Sequence, residues 1–516
     1  MFKHVKSIFV LSLPLIFKYI FLLLFIEWNL FDFKDIKEDW LFFLIIILLL
    51  FNKVFKKQIF VDLVCFVYML YLILETTSYM AVSANFSSSY MYLLLESNKQ
   101  ELSEFTSAYV SMPIVLFIGI SCILFFVIRK QKFKRLIKHQ SILGVLGVLS
   151  IIVFLKLTGL IESNAYHNIV RGTYGYFDLQ NSVKFNTDIK KDDINIKSDN
   201  EVLVVVIGES TTTRHMQLYG YHRETTPYLS SIKDSLLVYN NVVSSDIMTT
   251  KAVPKILTSL NYTKNNTIET NLIEVFNSSN YKTYWLSNQR PIGYHDNIVS
   301  QIASLSSYFK FFNHDNEVKT IIHDEILLPE FKLILNQKGK KVVFIRLIGT
   351  HFDYINRYPD SYNTFDTILD VSKKEKIINQ YDNAILYNDF IVYKFIKDLQ
   401  KQNSKSALLY LSDHGENVYD DADFFGRSEE ALTKSMFEIP FLLWTSDSFE
   451  FPEDFDYQPN RAFMADHTYE SIGHVFGVMH KSMDANRSIF SNSFEPRKRN
   501  VINDIDFDNY FLDNNK

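Results

Sequence analysis

The chain has 516 residues, too many for one ordinary core, and its 47% hydrophobic and 15% aromatic residues crowd into the first 160 positions. A net charge of -5 gives no support to nucleic-acid binding. The two cysteines, Cys65 and Cys122, both fall inside apolar stretches, which excludes a disulfide or a thiolate metal site in the rest of the chain.

In chain order, hydropathy predicts about five transmembrane helices, at 8–27, 40–55, 59–78, 110–128 and 141–161. Each approaches the roughly 20 residues that cross a bilayer. The first holds Pro14 and Lys18, but no small-residue cleavage site follows it, so it reads as a retained helix and not a signal peptide. Basic residues alternate between the connections. Lys3 and Lys6, then Lys53, Lys56 and Lys57, then Arg129, Lys130, Lys132, Lys134, Arg135 and Lys138 share one side, while 28–39 and 79–109 are mixed or acidic. The positive-inside rule puts the basic side in the cytoplasm and everything after the fifth span outside. The run 90–105 suits a helix on the outer membrane face or a plain packing connector.

Residues 1–161 therefore form a membrane domain, 162–200 a polar bridge, and 201–516 an extracytoplasmic domain. In the last, β-branched runs at 202–207, 236–243, 283–286, 342–348, 407–411 and 440–444 alternate with helical windows, the clearest at 374–401. That alternation predicts an α/β fold with a mainly parallel sheet sandwiched by helices. Ligands of such sheets bind off the carboxyl ends of the strands.

Two strand ends carry chemistry. The first runs into Gly208-Glu209-Ser210, and the run at 407–411 leads into Ser412-Asp413-His414-Gly415-Glu416. Carboxylates with an imidazole suit zinc or manganese. Either tripeptide alone is equally a capped turn; the two together in one domain favour a metal site. Between them, Thr249 and Thr250 stand where a helix begins before Pro254. A hydroxyl there sits among free N–H groups that favour an alkoxide or a phosphoryl oxygen, although either threonine also serves as a simple cap. His351, after the run at 342–348, suits metal binding, proton donation to a leaving group, or a plain surface role. His467 and His474 share one helix face.

The stretch IGESTTTRHMQLYGYHRETTPYL (207–229) resembles the opening motif of the bacterial phosphoethanolamine transferases, membrane enzymes of the alkaline phosphatase and sulfatase superfamily. The likeness continues through Thr249–Pro254, TYWLSNQ (283–289), GTHFDYINRYP (349–359), SDHGENVYD (412–420) and EIPFLLW (438–444). It extends to the layout of five membrane helices followed by a catalytic domain, with a flavour of the branch that modifies the lipopolysaccharide core.

The resemblance implies one zinc ion held by Glu209, Asp413, His414 and Thr249, with Thr249 as nucleophile, Thr250 in reserve and His351 near the transferred phosphate or a second metal. It implies phosphatidylethanolamine as donor, a glycolipid such as lipopolysaccharide or lipid A as acceptor, and a monomer in the bacterial inner membrane with its catalytic domain in the periplasm. Three departures stand out. The soluble part has no cysteine, Phe425-Gly426-Arg427 replaces a His-Gly of many relatives, and 96–101 matches the donor-lipid contacts only loosely. The alternatives are a glycerol-phosphate polymer synthase or a sulfatase of the same superfamily, and an inert membrane scaffold. A threonine nucleophile argues against the sulfatase.

Overall fold

The computed structural model describes residues 2–25, 33–51, 57–82, 85–86, 88–96, 102, 106, 109–131, 133, 140–182, 189–261, 268–289, 298–313, 321–366, 371–502 and 504–513. The chain divides into two compact units, the first made of Met1–Glu96, Leu102–Phe177 and Ser428–Ala431, the second of Ser97–Glu101, Asp178–Arg427 and Leu432–Lys516.

The first unit is helical: α1 (Phe2–Phe25), α2 (Phe33–Phe51), α3 (Gln58–Val82), α4 (Ser89–Glu96), α5 (Met112–Arg129), α6 (Gln140–Leu157) and α7 (Ala165–Ser182). The five predicted spans fall on α1, α2, α3, α5 and α6. Among the described residues, Val5–Phe25, Gln58–Ala81 and Met112–Arg129 are long and apolar enough to cross a membrane, and Ile142–Leu157 is a shorter apolar helix. Helix α4 occupies the start of the proposed surface run at 90–105; the rest of that run and the loop at 97–101 lie largely outside the described residues, as do Lys53, Lys56 and most of the basic link at 132–138.

Helix α2 begins seven residues before the predicted span, through a charged turn that hydropathy rejects. The structure gives the reason. Asp39 accepts two hydrogen bonds from Lys18 Nζ, at 2.8 and 2.7 Å, and both side chains are 2% exposed. Tyr71 Oη donates to Asp39 at 2.8 Å and also bonds Glu38, which accepts from Asn164 Nδ2 at 2.7 Å. The awkward Lys18 of the first span and the acids of the second neutralise each other and tie α1, α2 and α3 together. Charges inside an apolar bundle persist only when paired in this way.

The second unit is built on a seven-stranded sheet: β1 (Val202–Gly208), β2 (Leu236–Tyr239), β3 (Lys282–Ser287), β4 (Tyr308–Phe311), β5 (Lys341–Arg346), β6 (Ser406–Ser412) and β7 (Phe441–Thr445), in the order β2-β7-β6-β1-β5-β3-β4. Only β7 runs against the others. All seven residues of β1 and of β6 are buried, which explains their unbroken apolar sequences. Two readings are refined. The run 236–243 splits, with Val242–Val243 pairing Phe463–Met464 in a separate small sheet, and the edge strand β4 had no periodic signal. Helices α8 (Thr249–Leu257), α9 (Lys373–Gln400) and α10 (Thr468–Phe476) complete the elements that frame the site.

Replacing Lys18 by Met strands Asp39 without its cation. The full-length protein in detergent is expected to lose about 3–5 kcal/mol of stability to denaturant, and adding Asp39→Asn restores part of it; an unchanged midpoint for Lys18→Met contradicts the pairing.

Candidate active site

The register of the sheet sets the site. Gly208 stands opposite Ser412 across β1 and β6, so the next residues, Glu209 and Asp413, leave adjacent parallel strands side by side. Across β1 and β5, Ile207 faces Arg346, and Arg346 in turn faces Ser287 of β3, two residues before Gln289. Four polar side chains thus reach one carboxyl edge from four strands.

The backbone at this edge is tightly constrained. Ser210 holds a left-handed φ of 57°, costly for a side-chain-bearing residue. It is locked there: its carbonyl accepts from Tyr381 Oη at 2.7 Å and Thr350 Oγ1 at 2.9 Å, while its N–H donates to Asp413 Oδ1 at 3.3 Å. Gly349 has φ 53°, and a Cβ there would lie 3.0 Å from both the N and the O of Glu209. Only glycine lets β5 leave the sheet so close to Glu209.

Asp413 Oδ1 is occupied by backbone, accepting from the N–H groups of Ser210 and His414 (2.8 Å), which leaves Oδ2 aimed at the site. His414 Nδ1 lies 2.8 Å from the Gly415 carbonyl, an acceptor only, so Nδ1 carries the hydrogen and Nε2 keeps its lone pair. Nε2 lies 3.2 Å from Glu209 Oε1 and 3.6 Å from Asp413 Oδ2. Ligand atoms of Glu209, Asp413 and His414 all fall within 4.8 Å of one another, and all three residues are buried. Electron-pair donors crowded out of water repel unless a cation stands among them. The donor set, two carboxylate oxygens and one imidazole, fits zinc.

The ionisation pattern has the same cause. Burial opposes charge on Glu209, but His414, by hydrogen bond and charge, and Arg346 outweigh it and hold its carboxyl well below the usual range. Burial and the charge of Glu209 push Asp413 up to about 6. Burial and Arg427 disfavour a charged His414, yet Asp413 and Glu209 prevail and raise its affinity for a proton, the pull that a metal cation answers.

Thr249 opens α8, where backbone N–H groups are free, and its Oγ1 stands 2.8 Å from Asp413 Oδ2, 3.1 Å from Glu209 Oε2 and 3.4 Å from His414 Nε2. The loop leading to it is braced by Ser244 Oγ, which donates to the Asp413 carbonyl at 2.7 Å, and by Asp246 Oδ1, which accepts the N–H groups of Ile247 and Met248. Thr250 points elsewhere: its hydroxyl is buried with no hydrogen-bond partner.

His351 stands apart from the three-ligand group, though within electrostatic reach of Glu209, Arg427 and His414. Burial, reinforced by Arg357 and Arg427, lowers its pKa to about 3, so the imidazole is neutral, and its Nδ1 is buried without a hydrogen-bond partner. The helix histidines are elsewhere occupied: His474 bonds Ser488 and Asp454, and His467 lies 3.7 Å from Asp466.

Sequence reading missed Arg346 and Gln289. Arg346 Nη2 sits 3.1 Å from Glu209 Oε2 and 3.9 Å from Asp413 Oδ2. Gln289 Nε2 donates to Glu209 Oε2 at 2.8 Å and to the Leu347 carbonyl at 2.9 Å. The signal for Arg346 was present: a lone cation in the otherwise apolar buried run VVFIRL.

Below the site, His215 is clamped between Asp382 (2.6 Å) and Asp420 (3.2 Å), joining the loop after β1 to α9. Burial opposes its charge, but the two carboxylates win and raise its pKa to about 9.

Known proteins resemble the chain in sequence and in fold. The sulfatase family profile matches residues 201–477. The chain is 30% identical to the phosphoethanolamine transferase EptC of Escherichia coli over 479 residues, 83% of each chain, and equally identical to CptA of Salmonella typhimurium over the same length. The zinc complex of the periplasmic domain of the E. coli EptC superposes with a TM-score of 0.58 at 32% identity, covering 61% of this chain and 95% of that one. The integral membrane EptA of Neisseria meningitidis shares the fold over 85% of this chain and 87% of its own, with a TM-score of 0.63 at 19% identity.

The His215 clamp predicts a pH dependence. A pKa raised from 6.5 to about 9 contributes stability that is complete below pH 6.5 and lost as pH rises through 9, about 3 kcal/mol by linkage. The difference in thermal midpoint between the full-length protein and its His215→Gln variant is expected to be largest at pH 6 and to shrink to a constant remainder above about pH 10; a pH-independent difference refutes the clamp.

Proposed function

The chain belongs to the sulfatase family and, within it, to the phosphoethanolamine transferases, and on that premise we propose that it moves phosphoethanolamine from phosphatidylethanolamine to a cell-envelope glycolipid through a covalent intermediate on Thr249. The observation that carries this reading is the placement of the Thr249 hydroxyl against all three prospective metal ligands, 2.8–3.4 Å from Asp413, Glu209 and His414.

Glu209, Asp413 and His414, with the Thr249 oxygen, would hold zinc. Bound there, zinc lowers the pKa of the Thr249 hydroxyl and offsets negative charge on the phosphoryl group. Glu209 and Asp413 aim the threonine oxygen, and Arg346 and Gln289 hold Glu209 in place. In the first step the Thr249 oxygen bonds to phosphorus, its proton passing to solvent, while the bond from phosphorus to the diacylglycerol oxygen breaks and that oxygen takes up a proton. The free N–H groups at the start of α8 face the phosphoryl oxygens. In the second step an oxygen of the acceptor, a hydroxyl or a phosphate, bonds to phosphorus while the bond from phosphorus to the Thr249 oxygen breaks; any acceptor proton passes to solvent and the threonine oxygen takes one up. His351, held neutral by burial, offers the phosphoryl group a hydrogen-bonding ring without adding charge.

The names of relatives that act on Kdo(2)-lipid A or lipooligosaccharide support lipid A or a lipopolysaccharide-type glycolipid as acceptor; a neighbour named an integral membrane protein and one named a periplasmic domain, with the apolar helices α1, α2, α3, α5 and α6, support an inner-membrane protein of about five spans with 201–516 in the periplasm. The apolar first unit would keep a monomer beside its lipid donor.

Incubated with phosphatidylethanolamine, the protein is expected to gain the mass of phosphoethanolamine on the peptide holding Thr249, and to gain nothing from phosphatidylglycerol. Thr249→Ala removes the label and lowers turnover at least about 10³-fold. A label that survives Thr249→Ala but not Thr250→Ala moves the nucleophile by one position; labelling by phosphatidylglycerol makes the chain a polymer synthase instead. Chelation stops turnover, and zinc restores it; recovery with magnesium but not zinc rejects the metal assignment.

A further inference from the structure

Arg427 directly follows the short strand 425–426, and its surroundings are specific. Its side chain is 8% exposed, and its Nε lies 3.2 Å from Glu416 Oε2. Glu416 is itself fixed, accepting from Tyr354 Oη at 3.0 Å. Arg427 Nη1 donates to the Ile247 carbonyl at 2.8 Å and abuts His414 Nε2. Its Nη2 has no hydrogen-bond partner among the described residues. Two anchors therefore fix the guanidinium plane, and one edge of the fork is left open.

The guanidinium lies beside the nucleophile. Arg427 Nη1 and Thr249 Oγ1 contact the same atom, His414 Nε2, so the guanidinium lies within the span of one phosphoryl group from the nucleophile. A count of charge singles it out. Glu209 and Asp413 already balance a divalent cation, and Arg346 is turned toward those two carboxylates. Arg357 is spent on the carbonyls of His351 and Phe352. A phosphodiester arriving at Thr249 brings one further negative charge, which spreads over its non-bridging oxygens during transfer. Arg427, though anchored to Glu416 through its Nε, keeps one edge of its planar fork unpartnered among the described residues, and that fork matches phosphate oxygens.

We propose that Arg427 is a catalytic residue of the transfer, donating hydrogen bonds to a non-bridging oxygen of the phosphoryl group on Thr249. This assignment rests on the phosphoethanolamine-transfer reading and adds to it a group that holds the phosphoryl by charge and shape. The bland role for the same arginine is a brace between Glu416 and the loop at Ile247.

The test uses the full-length zinc-loaded protein, with Arg427→Gln, which keeps a donor for the Ile247 carbonyl, and Arg427→Lys, which keeps the charge. Zinc content is measured by elemental mass spectrometry, affinity for inorganic phosphate by calorimetry, and the rate of adduct formation by rapid quench. Arg427→Gln is expected to keep wild-type zinc and thermal midpoint, to bind phosphate at least 10-fold more weakly, and to form the adduct at least 100-fold more slowly, with Arg427→Lys recovering part of both. Unchanged phosphate affinity and adduct rate in Arg427→Gln overturn the proposal. So does a loss of zinc or of thermal midpoint shared by Gln and Lys, which leaves only the brace. Should the wild type form no adduct at all, the transfer reading fails, while the phosphate comparison still decides whether Arg427 binds phosphate.

Discussion

Three electron-pair donors meet, buried, at one sheet edge, and the rest of the site is arranged around their repulsion. The cause is register: β1 and β6 run parallel with Gly208 opposite Ser412, so the residues that follow each strand cannot avoid one another. Asp413 spends one oxygen on backbone N–H groups and His414 spends its Nδ1 on a carbonyl, which leaves only lone pairs pointing inward. A site so built is incomplete without positive charge. The raised proton affinities of Asp413 and His414 express the deficit, and the Thr249 hydroxyl, placed among the same atoms, inherits whatever cation fills it.

Positive charge around this point is graded by distance from the reacting atoms. Arg346 comes from within β5 and faces the carboxylates from the strand side. Arg427 comes from a loop and touches the imidazole beside Thr249. His351 is held neutral by burial and by its cationic neighbours, so it adds hydrogen-bonding capacity without adding charge. An enzyme acting on an anionic diester benefits from that grading, because fixed cations stabilise charge as it develops without the cost of reorganising solvent.

Much of this was legible in the sequence because parallel, doubly buried strands leave an unmistakable trace. The runs VLVVVI and ALLYL name β1 and β6, and the residues immediately beyond them name Glu209, Asp413 and His414. The choice of Thr249 over Thr250 was not legible from spacing; it depends on which face of the first turn of α8 meets β6. Arg346 and Gln289 were hidden for a different reason, since their work is done across strand pairs whose order no local pattern reveals. Edge strand β4 carries an exposed Tyr308 and half-buried Phe309 and Lys310, which blur any alternation. In the membrane half, hydropathy marks the apolar part of α2 and not its charged first turns, because it counts charges singly. Lys18 and Asp39 are tolerable only as a pair, and the pair joins helices 21 residues apart in sequence.

The central claim is that Glu209, Asp413 and His414 share one zinc ion that also reaches Thr249. Anomalous scattering recorded on either side of the zinc absorption edge, from crystals of the purified protein, tests it most directly. The account predicts an anomalous peak within bonding distance of Glu209, Asp413, His414 Nε2 and the Thr249 oxygen. A zinc peak elsewhere in the domain, or none at these residues in crystals of active protein, would contradict it.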